Sequence, residues 1–424
     1  MTIDYRTDKY IQNRSISDFS VSLNNESKRT TRWSDLDFDL LLMIFEKLLD
    51  LPDIYRCGTV CVSWQSVAKT ILPPFLLLSK VSLHAEESDF FFGDFHSKSI
   101  NSFYCDFFVG DFDSKSINSF YYEKSCTLFN IRTHKIHEVP LPEEEKGNIW
   151  YSSSGFWWLI TIGVEPPHEI GLFNPFTRDR ITLPRASDLL KVREELRVIT
   201  SANPLIDPKF SVLATHSCGF KIAFCRPGDS SWTSIKGFQG ICNDTIFHKG
   251  EFFAVNHRGD LFRINCGNFT AEKLALRPIE FPWHWYCNYL VELDGDLLLV
   301  ARWLEETQIT CSKTTSFTVY KLNWVEKGWI KIKNIGDNSI LLGKNSSISL
   351  PRNHFINFEA NCIYFIDDAD GFNMTTKYLN MDTGLYNIVT RQFKWPSPNY
   401  NKETEQLEKL PSSIWGGPLN WFIP

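Results

Sequence analysis

Gly343-Lys344-Asn345-Ser346-Ser347 sets a Gly-Lys pair close to serine, the beginning of a phosphate cradle. Such a cradle also needs a glycine where Asn338 stands, and a strand-to-helix step that lets backbone amides converge. Asp367-Asp368-Ala369-Asp370-Gly371 has the look of a calcium loop. With Gly371 as the turn glycine, the first and last ligands would be Ile366 and Lys377, and neither coordinates calcium. His134 and His137 are close in sequence, but no cysteine or HExxH arrangement accompanies them, so the pair reads as surface. Glu143-Glu144-Glu145 lies in a proline-rich loop and reads as a solvated charge run. There is no GxSxG elbow, and no cysteine carries a local nucleophile signature. The residues therefore predict no catalytic centre, no metal and no cofactor.

What remains is recognition chemistry. Pro282-Trp283-His284-Trp285-Tyr286 is dense in aromatics and stands just before an expected strand, with Arg258 on a neighbouring expected turn. Trp, Tyr and Arg anchor interfaces because they bury large areas at low entropic cost. Trp283, His284, Trp285, Tyr286 and Arg258 are the candidates for contacting a partner. The other reading puts the two indoles between packed sheets.

The elements that must position these residues are of two kinds. Residues 1–32 are polar and aperiodic, an N-terminal arm. From Trp33 the character changes. Leu36, Leu40, Leu41, Ile44, Phe45, Leu48 and Leu49 recur at helical spacing, with Ser34 and Asp35 as expected caps. Asp50-Leu51-Pro52-Asp53 breaks the helix. Two more short helices are expected near 53–60 and 62–71, before Pro73-Pro74 ends the run. Three short helices in about 40 residues sit near the lower limit for an independent core. This stretch carries more apolar surface than so small a bundle can hide, which points to a partner.

Beyond this module the sequence turns to strands. GDFHSKSINSFY at 93–104 recurs as GDFDSKSINSFY at 110–121, a tandem duplication whose offset is too short for a propeller blade. It reads as a loop or hairpin within 75–124, a stretch expected to hold a linker or first hairpins. From 125 to 424 there are short strands and turns. Leu128-Phe129-Asn130, Thr133 and Pro140 match Leu172-Phe173-Asn174, Thr177 and Pro184 at one constant shift. That shift falls in the range of about 40–50 residues that propeller blades span. Echoes follow at Ala223-Phe224, Leu261-Phe262, Val319-Tyr320 and Lys377-Tyr378. Continuous apolar runs lie between them, and Gly259-Asp260 and Asp294-Gly295-Asp296 mark hairpins. The tail, with Ile414-Trp415-Gly416-Gly417 and Trp421-Phe422-Ile423, either closes the last blade or stands apart from it. The expected fold is mainly β: an all-α N-terminal module over 33–74, then an irregular β-propeller of about six blades.

Composition sets outer bounds. The chain has 424 residues, 43% hydrophobic and 22% charged, as in ordinary globular proteins. Aromatics reach 15%, bulk that favours strands. The net charge of -6 gives no broad cationic field, so neither nucleic acid nor an anionic membrane is an expected partner. No apolar leader stands at the N-terminus, and the eleven cysteines include no CxxC pair. An intracellular location, nuclear and/or cytoplasmic, with free thiols is expected.

Trp33–Lys69 resembles an F-box, through Leu36, Leu40, Ile44, Leu48, Asp50, Asp53, Val60-Cys61 and Trp64. That family opens its first helix with Leu-Pro. Here Asp37 follows Leu36, and aspartate also suits a helix N-terminus. Between 289 and 369, YLVELDGDLLLVAR, FTVYKLNWVEKGWIKIKNIGDNSILLGKNSSISLP and NCIYFIDD resemble the plant F-box family with a KIB-type C-terminal propeller. The resemblance implies a substrate-recognition subunit of a cullin–RING ubiquitin ligase. Leu36, Leu40, Ile44, Phe45, Leu48, Val60, Cys61 and Trp64 would dock on a Skp-type adaptor, and through it on cullin. The propeller would bind a target protein that the sequence does not identify. Two other functions stay open at this level: an enzyme built on the propeller, and an adaptor-bound scaffold or inhibitor without ubiquitin transfer.

Overall fold

The computed structural model describes residues 33–48, 51–72, 75–78, 125–130, 135–143, 148–152, 156–163, 169–185, 196–216, 219–278, 286–305, 313–343, 347–351, 358–366, 384–394, 400–401, 406–407 and 420–422. The chain divides into two compact units, Met1–Leu72 and Pro73–Pro424. The first holds helices α1 (Phe38–Phe45), α2 (Leu51–Gly58) and α3 (Val62–Ile71), preceded by a single 3-10 turn at Trp33–Asp35. The duplicated segment lies outside the described residues.

The second unit is built of sheets with consecutive antiparallel strands. Blade two contains Asn148–Ser152, Leu159–Gly163, Ile170–Phe173 and Arg180–Thr182 in that order. Blade three contains Arg197–Thr200, Val212–His216, Lys221–Cys225 and Thr233–Ser234. Blade four runs through Cys242–His248, Glu251–Asn256, Leu261–Asn265 and Thr270–Ala275. Blade five runs through Tyr286–Leu293, Asp296–Glu305, Lys313–Asn323 and Gly328–Ile332. Blade six departs from the pattern: Ser339–Leu342 pairs parallel with Cys362–Phe365 and antiparallel with Ile348–Leu350. Gly384–Asn387 and Gln392–Lys394 then complete it. Lys344, Asn345 and Ser346 of the glycine-lysine-serine stretch lie outside the described residues, and at its two ends the Ser347 hydroxyl donates to the Gly343 carbonyl at 3.3 Å.

Blade one draws its strands from widely separated parts of the chain. Phe75–Leu78 is a strand paired with Ser125–Asn130, and Lys135–Pro140 follows. A strand of the propeller thus lies at 75–78, within the stretch expected to hold a linker or first hairpins. Its remaining strand is Asn420–Phe422, paired antiparallel with Phe75–Leu77. The tail thus completes the first blade and not the last. A single short apolar strand gives too little periodicity to read from sequence, and its partner lies at the far end of the chain.

The continuous apolar runs have a simple cause. Blades pack face to face, so their middle strands are covered on both sides. In Glu251–Asn256 the side chains of Phe252 and Ala254 join a core shared with blade three, while Phe253 and Val255 join one shared with blade five. In Asp296–Glu305, Leu297, Leu299 and Ala301 face blade four, and Leu298 and Val300 face blade six. Alternation persists in direction but not in polarity, because both directions are interior. Burying one such Leu or Phe contributes about 1.5–3 kcal/mol.

The blade-length repeat also has a structural meaning. Leu128-Phe129-Asn130 and Leu172-Phe173-Asn174 occupy the third strand of successive blades. Ala223-Phe224, Leu261-Phe262 and Val319-Tyr320 take the same place in blades three, four and five. In blade six that place belongs to Leu385-Tyr386, while Lys377-Tyr378 lies outside the described residues. The asparagine builds the turn that follows. Asn174 Oδ1 accepts the N–H groups of Phe176 and Thr177 at 2.9 and 3.1 Å. Asn265, Asn323 and Asn387 make the same pair of bonds to the residues two and three positions on. Four positions after each asparagine the backbone turns left-handed, at Arg178, Phe269, Lys327 and Arg391, with φ of 65°, 57°, 50° and 59°.

A left-handed residue with a Cβ costs about 1–2 kcal/mol, of which glycine's greater chain entropy returns about half. Lys327 is exposed. Lys327→Gly is therefore expected to raise stability by about 0.5 kcal/mol, whereas Lys327→Ala leaves it unchanged. Urea titration of the two variants checks this. A loss with glycine would show that the lysine side chain, not the backbone, decides the turn.

Candidate adaptor and target interfaces

The helical unit is closed by its own ends. Asp37, at the position where the family's motif has proline, is the N-cap of α1, its carboxylate accepting the Asp39 N–H at 3.0 Å. The cap therefore falls two positions after Asp35, and Ser34 and Asp35 lie in the preceding 3-10 turn. Leu41 and Phe45, one turn apart, are fully buried. Leu51, Ile54 and Tyr55 of α2 and Val67 and Ala68 of α3 are buried as well. Gly58 lets α2 and α3 approach closely, since a Cβ on it would meet that of Ala68 at 2.6 Å. Trp64 holds the unit together. Its ring stands edge-on to Phe45 at 5.5 Å and to Trp33 at 6.4 Å, a favoured geometry for aromatic pairs. Its Nε1 donates to the Trp33 carbonyl at 3.1 Å. The Ser63 hydroxyl donates to the Ser34 carbonyl at 3.1 Å.

The other flank of α1 is apolar and open. Leu40, Met43 and Ile44 are 51%, 61% and 38% exposed, and Val60 beyond α2 is 56% exposed. Seven of the sixteen exposed large hydrophobics among the described residues fall in Trp33–Val62, far more than so short a segment's share. Of the expected docking residues, Leu40, Ile44 and Val60 present surface, and Leu36, Leu48, Cys61 and Trp64 are half-buried. Phe45 is a correction. It has no exposed area and serves the unit's own core, because a short helix turns the i and i+4 pair of Leu41 and Phe45 inward. Met43, Phe38 and Val62 are also exposed and lie outside the expected set. Met43 lies beside Leu40, on the side away from Ile44, on the open arc of the helix, a signal available in the spacing.

On the propeller, Arg258 is exposed in the turn between the second and third strands of blade four. Tyr286 opens the first strand of blade five, and Trp283, His284 and Trp285 lie outside the described residues. The Arg258 turn is tied to the segments beside it. Asn256 Oδ1 accepts the N–H groups of Arg258 and Asp260 at 3.0 and 2.9 Å, and its Nδ2 donates to the Gln239 carbonyl at 2.9 Å. Asn288 Nδ2, from the strand that Tyr286 begins, donates to the Asn256 carbonyl at 3.1 Å. His257 Nδ1 accepts the Ile241 N–H at 3.0 Å. Burial, and then the Arg258 charge, lower the pKa of His257. Asp260 accepts Lys273 Nζ at 2.9 Å and the Arg277 N–H at 3.1 Å. Burial alone would raise the Asp260 pKa, but these bonds hold it below the ordinary carboxylate value. Gln239, Gly240, Asn256, Arg258, Asp260 and Lys273 line a cleft of about 160 Å³ at this edge.

No group of three or more metal-ligating side chains occurs among the described residues. His137 packs edge-on against Phe75 at 5.9 Å, and His134 and Asp367–Asp370 lie outside the described residues. Among the described residues no helix is long and apolar enough to cross a membrane.

A capped three-helix unit with an open apolar flank, followed by successive four- and five-stranded sheets packed face to face, is the architecture of an F-box protein with a propeller. The family models agree: an F-box-like model matches residues 33–72 and a KIB1-4 β-propeller model matches residues 128–387. The chain belongs to the KIB1-4 β-propeller family of plant F-box proteins. The putative F-box protein At5g55150 of Arabidopsis thaliana is 24% identical over 357 residues, which cover 80% of this chain and 87% of that one. F-box protein SKIP23 from the same plant is 24% identical over 366 residues, covering 75% and 79%. F-box protein At2g26160 is 24% identical over 242 residues, covering 50% and 73%.

Proposed function

We propose that the chain is the substrate-recognition subunit of a Skp–cullin–F-box ubiquitin ligase, working inside the cell in the cytoplasm or nucleus. The helical unit docks on a Skp-type adaptor through Leu40, Met43, Ile44 and Val60, and the propeller holds the target protein. The subunit itself performs no bond chemistry. It raises the local concentration of target beside the ubiquitin-charged enzyme, so that a rare encounter becomes effectively intramolecular. The observation that carries this reading is the apolar flank of α1. It remains exposed although the unit's core is already filled by Leu41, Phe45, Ile54 and Val67.

Truncating an interface anchor costs about 2 kcal/mol or more, which is roughly thirty-fold in affinity. Leu40→Ala with Ile44→Ala is therefore expected to abolish recovery of the Skp-type adaptor in co-purification, while circular dichroism shows both units folded. Unchanged recovery would overturn the docking assignment. Phe45→Ala is a contrasting variant, expected to lose the adaptor by unfolding the helices.

A further inference from the structure

We infer that the blade-four cleft is a subsite for a single carboxylate side chain, Asp or Glu, of the target protein, with Arg258 as its cationic anchor. The inference rests on the reading of the propeller as the target-binding unit. The size of the cleft limits its occupant. Pockets that bury small-molecule ligands run about 300–1,000 Å³. A cleft of about 160 Å³ has room only for a head-group.

The lining charges decide which head-group fits. Asp260 is ionised, and Lys273 at 2.9 Å neutralises it, so these two leave no net charge. The ordinary pKa of histidine is about 6.5, so His257, lowered from it, is neutral at pH 7 and its Nδ1 is already engaged by Ile241. Arg258 is different. Its backbone N–H is used by Asn256, yet among the described residues no carboxylate lies within ion-pair distance of its guanidinium. One uncompensated cation matches one negative charge. A phosphoryl group carries close to two and is usually met by a cluster of arginines.

The cleft is also rigid before anything binds. The Asn256 carboxamide, the Asn256 carbonyl, His257 and Asp260 bond the Arg258 turn to the segments on both sides of it. Gly240, in its left-handed conformation, presses against the His257 ring, where a Cβ would approach Nδ1 to 2.8 Å. A preorganised turn keeps the ordering cost of binding low.

The test is a displayed library of randomised decapeptides, including members with phosphoserine, selected on the full-length chain bound to its Skp-type adaptor. Wild type is expected to enrich peptides with Asp or Glu at one fixed position. Arg258→Gln should lose that preference and bind the selected peptides about 10–100-fold more weakly, as for a charge-assisted hydrogen bond. Arg258→Lys should recover part of the affinity. Melting temperature and adaptor recovery should stay unchanged, which separates this test from the docking assignment. Enrichment of peptides without acidic residues would leave the propeller a target binder but overturn the carboxylate subsite. So would a selection restricted to phosphoserine, an unaltered selection by Arg258→Gln, or no enrichment over the helical unit alone.

Discussion

Replacing Arg302 with alanine is expected to destabilise the propeller by about 3–5 kcal/mol, the range for breaking a buried charged network by removing one partner. Arg302 is 2% exposed, one of the largest fully buried side chains. It lies on the second strand of blade five. Its Nε donates to the Thr314 hydroxyl at 2.7 Å, and Nη1 donates to the Ile366 carbonyl at 3.0 Å and to the Tyr289 hydroxyl at 3.3 Å. The guanidinium also lies over the Phe365 ring, 4.9 Å from its centroid, a cation–π contact. Ile366 and Phe365 belong to blade six, so one side chain ties two blades together. Alanine leaves a buried carbonyl and two hydroxyls short of a donor, each costing about 1–3 kcal/mol, and opens a cavity as well. A fall in melting temperature of about 5–10 °C follows from the enthalpy of a large domain. Lysine should rescue little, because one ammonium does not reproduce the planar fork. A loss below about 1 kcal/mol would mean that desolvating the guanidinium cancels what its bonds contribute.

Removing residues 418–424 is expected to have a still larger effect, driving the chain into aggregates. Asn420–Phe422 is the strand that completes blade one, in register with Phe75–Leu77. Without it the backbone N–H and C=O groups of Phe75-Leu76-Leu77-Leu78 form a bare sheet edge of apolar residues, a template for pairing with another copy. The measurement is the monomer fraction by size exclusion, with and without a synthetic peptide of residues 415–424. If the strand works by pairing, the peptide should restore monomer in trans, as strand addition does elsewhere. A truncated chain that stays monomeric with an unchanged melting temperature would sink this account of closure.

Much of this protein is local and can be read locally. The helical unit declares itself by apolar residues at helical spacing, and its end at Pro73-Pro74 follows from proline chemistry. The third strand of most blades is visible as an apolar pair, in several of them just ahead of Asn, because the asparagine side chain builds the turn from its own next residues. Arg258 on an exposed turn is legible from Gly259-Asp260 beside it. Phe45 is misread for the same reason that its neighbours are found. Periodicity shows that a helix is apolar on most of its surface, but which residues turn inward depends on the partner helices.

Other features depend on residues far apart in the chain, and only the tertiary structure decides them. Phe75–Leu78 becomes a central strand because Asn420–Phe422 and Ser125–Asn130 flank it, and no short window of sequence contains either pairing. Arg302 looks like a surface cation at the end of a strand, and it is interior because blade six closes over it. The carboxamide of Asn256 is one polar group among many until Gln239, Asn288 and Ile241 are brought to the same turn. Spacing along the chain fixes which residues share a face of a helix or strand, since the two periods are properties of the backbone. Which faces meet is set by burying apolar area between elements, a term that depends on every blade at once.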